Sequence, residues 1–242
     1  MPLFSPKTRV LVPLELPEPR EISPEMIELL GSADILLLGW YEVPDQTSPE
    51  QAREQAEDTG ESALETVAQK FEDAGADVDV RHVFTPDLMD TIQRIGAEER
   101  CEAALISAPI DRLKRLLVVL REDVRAETVG DLLDDLLREE RERVTLLQIS
   151  EDEADEGREW SDRVLEELER RGVDTDRVAT RIETSDDPGG RVLDICREED
   201  FDVLIVPERG EMDDRLFGSF AEKLGRESRL PVVVIRGGDR AS

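Results

Sequence analysis

The chain has 242 residues, of which 60 are acidic and 31 basic, and its formal net charge is −29 at pH 7. Such a charge argues against nucleic acid as a partner, because neutralising phosphates requires a basic surface. No apolar run reaches the roughly 18 residues of a transmembrane helix. The stretch from Met1 to Arg9 has no features of a secretory signal. We therefore expect a cytoplasmic protein without membrane insertion.

The acidic residues are spread along the chain and do not form a single tail. At molar salt the Debye length falls to about 3 Å, which screens the repulsion between these charges. The pattern is typical of proteins from salt-loving archaea, and we interpret it as adaptation to salt; the alternative is a basic partner on an acidic face. The two cysteines, Cys101 and Cys196, predict buried free thiols and no disulfide framework. No metal site is predicted.

Short apolar runs alternate with amphipathic segments along the whole chain, which predicts βα units and a parallel sheet. Nine strands are expected, at Arg9–Leu14, Ile35–Val43, Val78–Phe84, Ala103–Ser107, Arg115–Leu120, Val144–Ile149, Val178–Ile182, Val203–Val206 and Val232–Ile235.

Cap and turn residues mark several helices between these strands. Ser48-Pro49 opens a helix that should run to Phe71 and stop at Gly75. Further helices are indicated by the apolar stripes of 129–137 and 160–168, by Asp187-Pro188, and by 216–224.

The two halves of the chain align at an offset near one hundred residues. Gly75-Ala-Asp-Val-Asp79 matches Gly172-Val-Asp-Thr-Asp176, and Cys101–Leu105 matches Phe201–Ile205. After Ser107 the first half leaves no room for a fourth helix and a fifth strand. We therefore predict a truncated repeat at 1–110 and a complete one at 111–242.

The second half resembles the universal stress protein family in three segments, which are Lys114–Leu120, Phe201–Gly210 with Leu216–Leu224, and Leu230–Arg236. The resemblance is close over 111–242 and loose over 8–110. It implies an α/β fold of two tandem doubly wound parallel-sheet repeats, with strand order 3-2-1-4-5, the first repeat lacking the last helix and strand. It also implies a non-catalytic stress-response or regulatory binding module.

Some members of that family bind ATP through a glycine-rich loop, in which backbone N–H groups and a helix N-terminus approach the phosphates. Here Pro207 takes the place of the first glycine and has no N–H to donate. Gly210 matches the second glycine and Gly218-Ser219 the last pair, but only seven residues separate them where the family has nine.

The remaining residues of this candidate nucleotide site are Arg209 in the loop, and Arg121 and Glu122 after the first strand of the second repeat. Arg121 takes the place of the family's acidic residue, and the loop carries additional acids that repel a triphosphate. In the first repeat Glu15 holds the acidic position, but the segment from Ser107 to Asp111 has no glycine. We therefore expect no cofactor and no conventional ATP binding.

Three alternatives stay open. One is an adenine-nucleotide-binding protein or weak ATPase that uses the altered loop. Another is a soluble regulator of a membrane transporter. The third is a small-molecule enzyme of a related doubly wound fold, with polar residues at the strand ends. A receiver domain fits poorly, because Arg236 stands where a receiver has lysine.

The first repeat's last strand would leave an open edge unless another strand covers it. The segment Pro231, Val232, Val233, Val234 and Ile235 is the candidate to cover such an edge. It should pair either with its equivalent in a second chain, giving a homodimer, or with the first repeat. An unidentified protein partner is also expected.

Overall fold

The computed structural model describes residues 8–19, 21–31, 33–42, 49–106, 114–120, 126–127, 129–130, 133, 142–150, 155–209 and 219–237. All nine predicted strands are present. They are β1 Arg9–Glu15, β2 Asp34–Glu42, β3 Asp77–Thr85, β4 Ala103–Leu105, β5 Arg115–Leu120, β6 Arg143–Ser150, β7 Val178–Thr184, β8 Val203–Arg209 and β9 Val232–Gly237.

The helices with defined bounds are α1 Pro24–Leu30, α2 Pro49–Asp73, α3 Leu88–Glu98, α4 Asp155–Arg170, α5 Pro188–Glu198 and α6 Ser219–Glu227. Helical backbone also occurs within 126–133, where one apolar stripe was predicted. The sequence indicated neither α1 nor α3, and α6 ends three residues after the predicted end. Within the described ranges no helix is long and apolar enough to span a bilayer.

Two glycines stop the long helices at the positions where the sequence predicts it. Gly75 follows α2 with φ of +100°, and Gly172 follows α4 with φ of +78°. Both values lie in the left-handed region, which glycine enters without a Cβ clash. In both turns the next N–H bonds back to the helix, from Ala76 to the Phe71 carbonyl and from Val173 to the Leu168 carbonyl.

The strands form one sheet in the order β3-β2-β1-β4-β9-β8-β5-β6-β7. All neighbours are parallel except β4 and β9, which are antiparallel. The two halves of this order each follow the doubly wound pattern that the resemblance implied. We refer to residues 9–106 as repeat 1 and residues 115–237 as repeat 2; the predicted boundary at 110 lies outside the described residues.

The sheet is covered by helices on both faces. One apolar cluster joins β-strand side chains such as Val12 and Leu146 to α2 and α4 through Phe71, Val164 and Leu168. The opposite cluster joins the other strand face to the remaining helices, through Ile92 of α3, Val192 and Ile195 of α5, and Ala221 and Leu224 of α6. The inner strands, such as β1, β2 and β5, are therefore buried on both sides, which explains their continuous apolar runs. The edge strands β3 and β7 are mostly exposed or half-buried.

Equivalent backbone hydrogen bonds recur in the two repeats. Asp34 N–H bonds to Thr8 and Arg143 N–H to Lys114, while Glu102 N–H bonds to Arg9 and Asp202 N–H to Arg115. These bonds fix the correspondence between repeats: the start of β1 matches that of β5, and the start of β2 matches that of β6.

Strand β9 closes the gap that the short repeat 1 leaves. Its partner on one side is β8, and on the other it faces β4, with Val233 opposite Leu105. The structure thus contains the second of the two pairings considered for residues 231–235, the one with repeat 1. Both edges of β9 are occupied in this arrangement, so a two-fold dimer through this strand would have to displace β4. A homodimer stays a prediction, but this strand offers it no free edge.

Helix α6 also serves both repeats. Lys223 donates to the Asp187 carboxylate at 2.8 Å, and Arg226 donates to the Asp87 carboxylate at 3.2 Å. Asp87 and Asp187 are the N-caps of α3 and α5, where each accepts a backbone N–H. Gly225 lies so close to repeat 1 that a Cβ there would be 2.5 Å from Ile106 Cδ1. We call α6 and β9 the shared unit, since they complete both repeats.

Replacing Val233 with proline tests this sharing. Proline removes a ladder N–H in a strand paired on both sides, and the loss should be at least about 2–3 kcal/mol of unfolding free energy. Backbone hydrogen exchange should accelerate in β1 and β2 as well as in β5 and β6, because both repeats depend on β9. Val233→Ala keeps the N–H and should have a smaller effect. Faster exchange confined to repeat 2 would contradict the sharing.

The two capping aspartates predict a specific pH dependence. The pKa of Asp87 lies below its usual value because it accepts the Asp90 N–H and, secondarily, because Arg226 donates to it; Lys223 and then the Gly190 N–H lower the pKa of Asp187. A lowered folded-state pKa gives stability that is present above about pH 4 and lost as pH falls through the folded value.

The double variant Asp87→Asn, Asp187→Asn keeps good N-caps but removes both ion pairs. Its melting temperature should therefore fall less than that of the wild type between about pH 7 and about pH 3. The difference between the two proteins should shrink in molar salt, since these pairs are exposed. If the melting temperature of the double variant falls as much between these pH values as that of the wild type, the two ion pairs do not stabilise the shared unit.

Candidate functional site

In a doubly wound sheet, ligands bind at the carboxyl ends of the strands where the strand order reverses. In repeat 2 that point lies between β5 and β8, which are paired from Leu116–Val203 to Val118–Ile205. In repeat 1 the same point lies between β1 and β4. These two positions are the candidate sites, and repeat 2 is the one for which the sequence offers a loop.

The structure places only part of the predicted nucleotide site. Arg209 is the last residue of β8, and Ser219 is the first residue of α6. Arg121, Glu122, Gly210 and Gly218 lie outside the described residues, so the structure does not test whether they come together.

Pro207, which takes the place of the family's first glycine, lies inside β8 and faces Ile235 of β9. Its ring nitrogen carries no hydrogen, so it can donate neither to the sheet nor to a ligand. The pairing of β8 with β5 ends at Ile205, so Pro207 is paired only with β9 and a missing N–H on the β5 side interrupts no ladder.

In repeat 1 the space at the carboxyl ends of β1 and β2 is filled by apolar side chains of the protein itself. A Cβ on Gly39 would lie 2.3 Å from Leu64 Cδ1 and 2.8 Å from Leu16 Cδ1, so these side chains already rest on the glycine backbone. Tyr41 is buried and stacks on Phe84 with ring centroids 4.8 Å apart. These two rings therefore belong to the apolar core on the α2 face of the sheet.

In repeat 2 the corresponding place is polar. Gln148 of β6 and Ser161 of α4 are each only 2% exposed. Sequence reasoning missed both residues. The available signal was a glutamine inside the apolar run Leu146-Leu-Gln-Ile149, and a serine next to Trp160 at the start of an apolar helical stripe.

The two thiols lie away from these strand ends and are unreactive in character. Burial raises the pKa of Cys101 to about 11 and that of Cys196 to about 12. The thiolate is the reactive form, so at neutral pH neither cysteine supplies a nucleophile. Both cysteines are free, as the sequence predicts, but only Cys101 is buried and Cys196 is partly exposed.

Solved structures with the same arrangement cover nearly the whole chain. A universal stress protein from Archaeoglobus fulgidus superposes with a TM-score of 0.58 at 18% identity, covering 96% of this chain and 97% of that one. A candidate universal stress protein from Pseudomonas aeruginosa UCBPP-PA14 gives 0.55 at 13% identity, with 94% and 92% covered. A functionally unknown protein from P. aeruginosa PAO1 gives 0.52 at 14%, with 96% and 93% covered. At these identities the likeness shows the fold alone.

No curated protein sequence matches the chain. The model of the universal stress protein family matches residues 112–236, which is more than half of the chain and nearly all of repeat 2. The match includes the three segments on which the resemblance was based. The chain therefore belongs to the universal stress protein family.

Proposed function

We propose that this protein is a non-catalytic, cytoplasmic regulatory module of the stress response, which acts by associating with a protein partner and does not bind ATP in the conventional way. The observation that carries the proposal is Pro207, which lies within β8 at the first position of the phosphate-binding loop.

The chemistry of the loop supports the first part of this proposal. A triphosphate is held in such loops by backbone N–H groups that glycine leaves accessible. Pro207 removes one donor, and Glu208, Glu211, Asp213 and Asp214 add negative charge to the same stretch. Because the whole chain carries a net charge of −29, an anionic ligand gains no compensating attraction from elsewhere.

The packing of repeat 1 supports the same view for the second candidate site. Leu16 and Leu64 rest on Gly39, and Tyr41 covers Gly60 so closely that a Cβ on that glycine would be 1.8 Å from the Tyr41 hydroxyl. A ligand over these strand ends would have to displace packed core side chains. Repeat 1 is therefore no better suited to a nucleotide than repeat 2.

A second candidate is an adenine-nucleotide-binding protein or weak ATPase. One observation favours it: Ser219 is the first residue of α6, a nine-residue helix. A helix N-terminus carries a partial positive charge and unpaired N–H groups that suit a phosphate.

Purification in molar KCl without added nucleotide separates the two candidates. After denaturation, chromatography should recover no stoichiometric adenine nucleotide, and millimolar ATP with magnesium should leave the melting temperature unchanged. A ligand present at a hundred times its Kd would instead stabilise the protein by about 2.7 kcal/mol.

The matched variants are Ser219→Ala at the loop and Ser62→Ala on the exposed surface of α2. The proposal is wrong if nucleotide co-purifies, or if ATP raises the melting temperature of the wild type and of Ser62→Ala but not of Ser219→Ala. That pattern would assign the protein to the nucleotide-binding members of its family.

A further inference from the structure

Strand β3 is one of the two edge strands of the sheet, and among the described residues it pairs only with β2. All nine of its residues, Asp77–Thr85, take part in that pairing. The other side of the strand therefore directs a row of backbone N–H and C=O groups away from the sheet. Such a row can pair with a strand of another chain, so the side chains of β3 decide what this edge accepts.

An exposed hydrophobic side chain lies in the middle of this edge. Val80 is 44% exposed, and it is the one exposed large hydrophobic residue in the described part of the chain. The backbone around it is described without a gap from residue 49 to residue 106. The equivalent residue of the other edge strand, β7, is Thr180, as the strand registers of the two repeats show. Repeat 1 therefore has an apolar residue where repeat 2 has a polar one.

The two neighbours of Val80 carry opposite charges, and both lie on the α3 face of the sheet. Asp79 accepts a hydrogen bond of 2.7 Å from Arg9, and Arg81 donates one of 2.8 Å to Glu99. Even so, the side chain of Asp79 is 65% exposed and that of Arg81 is 36% exposed. Both charges therefore remain accessible at the edge, where they repel a strand with unmatched charges and attract one with matched charges.

The charges select one register for pairing β3 with a second copy of itself. A two-fold axis perpendicular to the sheet keeps each face on its own side, so opposite residues must share a face and the pairing is centred on a residue. Centred on Val80, the pairing places Asp79 of each chain opposite Arg81 of the other and the two Val80 side chains opposite each other. A centre at Asp79 or Arg81 places identical charges opposite each other, and a centre at His82 leaves both charges without a partner.

We propose that two copies of this protein associate through β3, in an antiparallel two-fold pairing centred on Val80 that joins their sheets. Residues 77–83 of the two strands overlap in this register, and their backbone groups bond across the edge. The net charge of −29 makes two copies repel each other, so the dimer forms in concentrated salt, where that repulsion is screened. This inference is independent of the proposed function, and it gives the expected homodimer an edge other than β9.

Light scattering over a concentration series in molar KCl measures the association. The mass of the wild type should rise towards twice that of one chain, and backbone hydrogen exchange in β3 should slow as the dimer forms. Val80→Arg places two like charges opposite each other and should weaken dimerisation at least about tenfold. Thr180→Arg, the same change at the equivalent exposed position of β7, should leave dimerisation unchanged.

A mixture of two charge variants tests the register itself. Asp79→Arg alone and Arg81→Asp alone each place like charges opposite each other in a homodimer, so each should have the mass of one chain. In an equimolar mixture, each altered residue lies opposite the complementary charge of the other variant, and the dimer mass should return. Circular dichroism and the melting temperature of each variant show whether it is folded before mixing, which separates lost association from lost folding.

Three results would overturn the proposal. One is a wild type that keeps the mass of one chain in molar KCl at every concentration up to about 1 mM. Another is an equal loss of dimer in Val80→Arg and Thr180→Arg, which would show that β3 is not the specific contact. The third is a mixture of the two folded charge variants that stays monomeric, which would exclude the register centred on Val80.

Discussion

A strand with an unpaired edge exposes a row of N–H and C=O groups that must be hydrogen-bonded or shielded. The arrangement of this protein depends on how the edge of β4 is paired. Repeat 1 has no fifth strand of its own. Strand β9 of repeat 2 pairs with β4 in antiparallel fashion while keeping its parallel pairing with β8. Helix α6 makes a similar connection on one face of the sheet. It packs against both α3 and α5 and bonds to the N-cap residue of each. One helix and one strand thus complete two repeats.

The strands and the glycine stops could be predicted from the sequence because their signals are local. Continuous apolar runs indicate strands buried on both faces, and Gly75 and Gly172 each follow an amphipathic stripe. Helix α3 was missed although Met89, Ile92 and Ile95 are spaced as one buried stripe, and Asp87 caps it. The bridge from Arg226 to Asp87 joins residues 139 positions apart, and no local pattern encodes such a contact.

The candidate site could be predicted only in part, for a different physical reason. Pro207 was informative because the absence of an N–H is a property of the residue itself. Gln148 and Ser161 gave only a weak signal, because polar residues in strands and helices are usually solvated. Their burial follows from how α4 lies on β6. At equivalent positions of strand and helix, repeat 1 has Gly39 and Leu64, whereas repeat 2 has Gln148 and Ser161.

The antiparallel contact between β4 and β9 has a consequence for how the protein responds to dilution. When such a contact joins separate chains, its occupancy follows protein concentration. Here both strands belong to one chain, so their effective concentration is set by the connecting polypeptide and is independent of the number of molecules present. The pairing of β4 with β9 should therefore persist even at very low protein concentration. A change in the amount of protein therefore leaves the pairing of β4 with β9 unchanged within each molecule.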